Sequence, residues 1–322
     1  MPVGYDYSMQ QCWTIDELGG MATSETLSRN VRTAAQPLMK FRPLSRPEMA
    51  FGAHNGAKVT FRKMSNLQEG GRVIGEFDRV PDTHFTLSYG EITVQEWSNS
   101  VNYTWTLSLL AKLSIEDMII INLMNDMAKT LDRAASVPYR AADVIYTPTG
   151  DVNNKTRTVS TNGAPGAIST RPFAMWDLKN IVDDMRCLWN VPAYDGNDYV
   201  AVGTCTATRG IKDDPEYWSA AQFGDPERLF SGEVGRIYGT RIIEENHILN
   251  SNLPGGCGEI IFIGFDAVVE IVAYAEEIQA KIGMDYGRDK GVRWVWVGGF
   301  GKVWDFQAEG ETRLVRVYSR FS

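Results

Sequence analysis

Glycines 232, 235 and 239 cluster in the stretch SGEVGRIYGTRIIEENH (231–247), which closes on two acids and a histidine. A glycine cluster can cradle a phosphate, because backbone N–H groups approach the ligand with no Cβ in the way. This spacing fits neither the dinucleotide-binding pattern nor the P-loop, and no Lys-Ser/Thr pair follows it. A cradle must also open a helix, whereas Arg236-Ile-Tyr-Gly-Thr-Arg-Ile-Ile243 reads as continuing strand. The reading is a glycine-permitted bend into a sheet.

The other chemical candidates fare no better. Glu244-Glu-Asn-His247 is not H-E-x-x-H, and the remaining histidines, His54 and His84, lie in unrelated segments, so no metal centre is expected. Cys257, in Pro254-Gly-Gly-Cys-Gly258, would need a paired histidine to act as a nucleophile, and the surrounding sequence offers none. That stretch reads as a turn before a strand at 259–264. Cys12, Cys187, Cys205 and Cys257 form no C-x-x-C pair and read as buried free thiols of a reducing cytosol. The carboxylate pairs Asp183-Asp184, Asp213-Asp214 and Glu244-Glu245 are adjacent in sequence, so they cannot share a face as an acid–base dyad and are expected to be solvated. No catalytic, cofactor-binding or metal-ligating set emerges. The chain reads as a non-enzyme.

The elements around these residues are organised differently from those of an enclosed cleft. Residues 1–56 hold no core of their own: a short helix is expected over about 25–35 behind Ser24, then Pro37, Pro43 and Pro47 interrupt regular structure. Residues 1–28 carry four acids and no Lys or Arg, whereas 29–46 carry Arg29, Arg32, Lys40, Arg42 and Arg46 and no acid. Such a segment must lie on something else, as an arm. Over 57–97, Lys58–Arg62 alternates as a strand and so does His84–Tyr89, with a phase flip after Gly90 that predicts a bulge or bend. About nineteen residues with Gly70, Gly71, Gly75 and Pro81 separate the two limbs. Limbs of roughly 20 residues would reach at most about 65 Å, and such a projection needs external support.

The strongest helix signal runs over 114–136, with a capping box at Ser114-Ile-Glu-Asp117, apolar residues Ile115, Met118, Ile119, Met127 and Leu131, and Pro138 ending the run. Asp126, Lys129, Asp132 and Arg133 mark its wetted or partner-facing side. A second helix is expected over 174–189, a hairpin over 143–160, and strands at 199–204, 236–243, 259–264, 293–297 and 313–319; segment 268–282 is ambiguous between helix and strand. At 43% hydrophobic and 22% charged, the 322 residues suffice for one or two cores. A net charge of −8 argues against a dedicated nucleic-acid binder. No apolar run approaches the ~18 residues of a membrane span.

Four phrases in order, Lys58-Val-Thr-Phe-Arg-Lys-Met-Ser-Asn66, Tyr89-Gly-Glu-Ile-Thr-Val94, Gly232–Ile243 and Asp285-Tyr-Gly-Arg-Asp-Lys-Gly-Val-Arg-Trp-Val-Trp-Val297, together with the order of the parts, resemble major capsid proteins of tailed phages with the Hong Kong 97-type coat fold. The resemblance implies an α+β fold with an N-terminal arm (1–56), an extended loop (57–97), a peripheral domain with the spine helix (98–172), a first part of the axial domain (173–240), and the remaining axial strands with a return to the peripheral domain (241–322). It implies hexamers and pentamers of this chain closing into an icosahedral shell around double-stranded DNA, assembled in a bacterial host cytoplasm. Separate scaffolding and portal proteins, a possible cement protein, non-specific proximity to DNA and no membrane partner come with it.

Under that resemblance the loop lies across an adjacent subunit. Its basic residues Arg62, Lys63, Arg72 and Arg79 would meet acids such as Glu116, Asp117 and Asp126, and Val73, Ile74 and Phe77 would be buried at its tip. Arg29 and Arg32 would reach a neighbour's acidic surface or face DNA. Gly90, Gly235 and Gly239 would be structural. An encapsulin-like shell, a head-completion or tail protein, and a cytosolic enzyme using 232–239 are the competing readings.

Overall fold

The computed structural model describes residues 39–48, 56–65, 69–217, 235–245, 247–249, 257–282 and 285–320. The expected helix at 25–35, Cys12, Arg29, Arg32 and Gly232 lie outside them.

Every residue of β10 (Cys257–Ile263) is buried, the pattern of a strand covered on both faces. It sits within a seven-stranded sheet ordered β6-β5-β13-β10-β7-β9-β8, formed with β5 (Val144–Gly150), β6 (Lys155–Ser160), β7 (Tyr199–Gly203), β8 (Arg236–Ile237), β9 (Thr240–Glu244) and β13 (Leu314–Arg320). Alternation along β10 divides two cores. Ile260 and Phe262 pack with Leu178, Ile181 and Ala207 from helices over Met175–Asp183 and Cys205–Lys212. Ile261 and Ile263 face the opposite way, toward Phe41, Ala135 and Tyr139.

The last two belong to the long helix, Ile115–Arg140, which follows a short α1 (Trp105–Leu110) and is labelled α2. Ser114 caps α2 by accepting from Asp117 N–H at 3.4 Å, as its spacing predicts. Its earlier turns place Ile115, Ile119 and Leu123 against Trp294 and Trp296. Those tryptophans lie on β12 (Asp289–Lys302), in a four-stranded sheet ordered β1-β11-β12-β4 with β1 (Arg46–Glu48), β11 (Val268–Ala280) and β4 (Gln95–Thr104). The long helix therefore joins the two sheets. Among the described residues no helix is long and apolar enough to cross a membrane.

Several expectations are corrected. Pro138 does not end α2, which runs on to Arg140: a proline in the final turn forfeits one N–H bond but leaves the next residues room to close. Segment 236–243 is not one strand but a hairpin, with Tyr238 (φ 48°) and Gly239 (φ 68°) both left-handed, the geometry of a two-residue primed turn. Segment 268–282, open between helix and strand in the sequence, is strand over Val268–Ala280. The second helix is α3 (Met175–Asp183), extended by a π turn to Leu188, and Leu188 is exposed rather than buried. Cys187 and Cys205 are exposed, leaving Cys257 as the buried free thiol among those described.

Two acids, one read as solvated and one as wetted or partner-facing, are interior. Glu245 is 3% exposed and accepts backbone N–H bonds from His247, Ile248 and Leu249. Asp132, on the supposed wetted side of α2, is 1% exposed and accepts from the N–H groups of Lys40, Phe41 and Arg42. It thus fixes the segment that leads into β1. Alternation alone cannot reveal a buried acid whose partners are backbone groups 90 residues away.

Strands β2 (Lys58–Met64) and β3 (Leu87–Thr93) form a separate two-stranded sheet. Its register is unbroken from Lys58↔Thr93 to Met64↔Leu87, so the predicted bulge at Gly90 is absent. The phase flip has another origin. Val59 and Ile92 face inward, onto Val269, Ile271 and Val303, while Met64, Leu87 and Tyr89 face outward and stay exposed. Gly90 sits on the inward side, where an added Cβ would stand 2.3 Å from the Phe61 ring. Gly90→Ala is expected to cost about 1–3 kcal/mol by overpacking, read as a lower denaturant midpoint.

Candidate inter-subunit surfaces

Beyond Met64 and Leu87 the chain leaves the sheet and carries no regular structure over 69–86. At the far end Asp78 N–H bonds Gly75 C=O at 3.0 Å, and the Asp78 carboxylate accepts from Gly75 N–H at 3.2 Å. This tight turn presents Phe77, which is 98% exposed, beside Val73 at 97% and Ile74 at 42%. These large apolar side chains are held out on the turn with no core behind them. Arg72 is exposed, as is Arg79, which lies 3.4 Å from Asp82. Arg62 shares the outward face of the hairpin with Tyr89.

Lys63 behaves differently from its basic neighbours. It points inward, donates to Val303 C=O at 2.9 Å and pairs with Glu309. Ser88 donates to the same carboxylate at 2.8 Å. Lys63 is therefore a clamp holding the loop base to its own chain, at the short helix Phe306–Glu309 (α5). Burial pushes the Glu309 carboxyl up, but the hydrogen bonds from Lys63 and Ser88 outweigh it and hold the group below the ordinary glutamate value.

A depressed carboxyl pKa contributes stability above the ordinary glutamate range and loses it as pH falls through the folded value. Amide exchange of β2 and β3, corrected for its intrinsic rate, is thus expected to be slow near neutrality and to accelerate below about pH 4. In Glu309→Gln the clamp is already weakened at neutrality, and the acid-induced step should shrink.

Two of the acids expected to receive the loop, Glu116 and Asp126, are engaged within the chain. Glu116 accepts from the Tyr103 hydroxyl at 2.6 Å and lies 3.7 Å from Lys290. Asp126 accepts from Asn99 at 2.8 Å and from the Trp294 indole at 3.0 Å. Asp117 lies in the first turn of α2, exposed. Of the basic stretch, Arg42 pairs with Glu270 at 2.9 Å and also with Glu276, and Arg46 lies 3.4 Å from Asp266.

One group of residues was not singled out as a unit by the sequence. Trp97, Lys129, Arg133 and His247 line a common cavity with Asp126. The only signal was the i, i+4 spacing of Lys129 and Arg133 on α2; Trp97 and His247 reach it from distant segments. Gly239 is a turn residue whose carbonyl accepts from Tyr199 N–H at 2.8 Å, and Gly235 (φ 70°) stands just ahead of β8 with its carbonyl accepting from Ile242 N–H at 3.1 Å.

No protein-family model matches the chain, and no curated protein matches its sequence. Solved structures do match. The capsid of Ralstonia phage GP4 aligns at TM-score 0.66 and 14% identity, over 93% of this chain and 95% of that one. The capsid of Helicobacter pylori bacteriophage KHP30 aligns at 0.67 and 13% over 100% of both, and that of cyanophage Pam1 at 0.68 and 11% over 99% of both. The chain has the phage coat fold. In coat-fold terms the resemblance seen in four sequence phrases is carried by the whole architecture, an α+β arrangement in which a long helix joins two sheets and a hairpin projects from one of them.

Proposed function

We propose that this chain is the major capsid protein of a tailed bacteriophage, self-associating into hexamers and pentamers that close into an icosahedral shell around double-stranded DNA. The observation that carries the reading is the end-to-end alignment with phage capsid chains, nearly complete on both sides. The projecting loop supports it, since Phe77 and Val73 stand almost fully exposed in the isolated chain and need a neighbour to cover them.

In this reading the hairpin base is held to its own chain through Lys63 and the tip is the partner-seeking end. The segment 57–97 is the extended loop, α2 is the spine helix, and the two sheets form the bodies of the peripheral and axial domains. Each copy both gives and receives one loop, a heterologous contact that closes into a ring when the rotation from one copy to the next divides a full turn. Burial of Val73, Ile74 and Phe77 supplies most of the contact, at roughly 1.5–3 kcal/mol per fully covered side chain. Exposed ion pairs contribute about 0–1 kcal/mol each and chiefly set register. A separate scaffolding protein, a portal and a cement protein are the further partners, and the shell assembles in the host cytoplasm.

Sedimentation velocity of the purified full chain tests the reading. Species of hexamer size or larger that grow with concentration support it; a monomer across the accessible range, with and without a scaffolding partner, contradicts it.

A further inference from the structure

Helix α2 keeps one apolar line uncovered. Ile121, Met124 and Ala128 follow at spacings of three and four residues, so they stand in a single row along its surface. Ile121 is 47% exposed and Met124 50%, whereas Ile115, Ile119 and Leu123, on the opposite side, are buried with Trp294 and Trp296. Ala128 also lines an open groove of about 510 Å³, together with Met39, Pro43, Pro47 and Val272.

This groove adjoins the place where the arm meets the body. Asp132 accepts from the N–H groups of Lys40, Phe41 and Arg42, and one turn earlier on α2 Met39 shares the groove with Ala128. The sequence just ahead of Met39 carries a matching row: Leu27, Val31, Ala34 and Leu38, at spacings of four, three and four, behind the capping Ser24 and with Pro37 before the last of them. A helix that stops before Pro37 leaves residues 36–38 as a connector spanning at most about 10 Å. The row from Ala128 to Ile121 is itself about 10 Å long, so it lies within reach. We propose that residues 24–38 of the same chain seat on this row as a helix parallel to α2, with Val31 over Ile121, Ala34 over Met124 and Leu38 entering the groove beside Ala128. The sizes interlock, since the small Ala34 faces the long Met124 and the larger Leu38 faces Ala128. A connector this short holds the segment at an effective concentration on the order of millimolar, which favours it over a second copy of the chain in dilute solution. The inference concerns one chain and does not depend on the coat-protein reading.

Methionine oxidation tests it on the full chain. Dilute hydrogen peroxide is applied under conditions where sedimentation shows no assembly, and the rates at Met124 and Met64 are read by peptide mass spectrometry. Met64, 62% exposed on β2, is the internal standard. Met124 is expected to oxidise at least ten-fold more slowly than Met64, independently of protein concentration, and to approach the Met64 rate in Leu27→Asp/Val31→Asp. Neither substituted residue belongs to the four buried clusters, and circular dichroism checks that the variant keeps its fold. Equal rates in the wild type overturn the proposal without recourse to the variant. Protection that survives in a folded variant overturns it too, because something other than this segment then covers Met124. Protection that grows with protein concentration assigns the row to a second copy and overturns it as well.

Discussion

Asp177→Ala is expected to destabilise the chain by about 3–5 kcal/mol, the usual cost of leaving a buried charge unpaired. Asp177 is fully buried at the start of α3, and its carboxylate accepts from both terminal nitrogens of Arg171, from the Tyr146 hydroxyl at 2.9 Å and from Ala174 N–H at 3.0 Å. Arg171, 3% exposed, continues the network by donating to the carbonyls of Thr149 and Thr156 at 2.9 Å. One ion pair thus ties the β5–β6 hairpin to the helix that covers the sheet. Burial and Asp177 together push the Tyr146 hydroxyl far above its ordinary pKa, so it remains a donor throughout the working range. Removing the carboxylate strands a guanidinium with no route to water. Urea unfolding should show the loss, and Arg171→Met/Asp177→Leu should recover much of it because no charge is then buried alone. A single mutant within 1 kcal/mol of wild type would show that the pair holds nothing together.

The second large effect concerns assembly and leaves the fold intact. Deleting residues 70–83 removes no side chain from the four buried clusters, so the thermal midpoint should stay near that of the full chain. Closed particles should nevertheless disappear. Phe77→Ala alone removes about 2 kcal/mol of contact per loop, which weakens each contact about 30-fold and raises the concentration needed for assembly. Light scattering against concentration reads this directly. Assembly of the deletion variant at wild-type concentrations would mean that the loop is a bystander.

The contrast between these two sites shows what the sequence makes legible. The cap at Ser114, the apolar spacing of Ile115, Ile119 and Leu131, and the strand at 259–264 are local patterns, and they were readable. The loop was readable from its glycines and its length. Less accessible were features whose partners lie far along the chain. Asp132 sits among polar residues on a helix and looks solvated, yet it caps backbone groups of residues 40–42. Lys63 looks like one more basic residue of the loop, yet it closes on Glu309.

The phase flip at Gly90 misled for a related reason. Alternation assumes that the apolar face is the inner one, and Leu87 and Tyr89 break that rule because their outward face is free in a single copy. Likewise, Glu116 and Asp126 of α2 could not be known to be engaged until Tyr103, Asn99 and Trp294 were seen to reach them. The Lys129–Arg133 pair becomes noticeable only once those acids are accounted for.

The most direct test of the account is cryo-electron microscopy of the purified full-length chain, alone and coexpressed with a scaffolding partner. The account predicts closed polyhedral particles or hexameric rings, with the 69–86 loop of each copy lying over its neighbour. A persistent monomer or dimer under both conditions, or shells in which that loop touches no other copy, would contradict it.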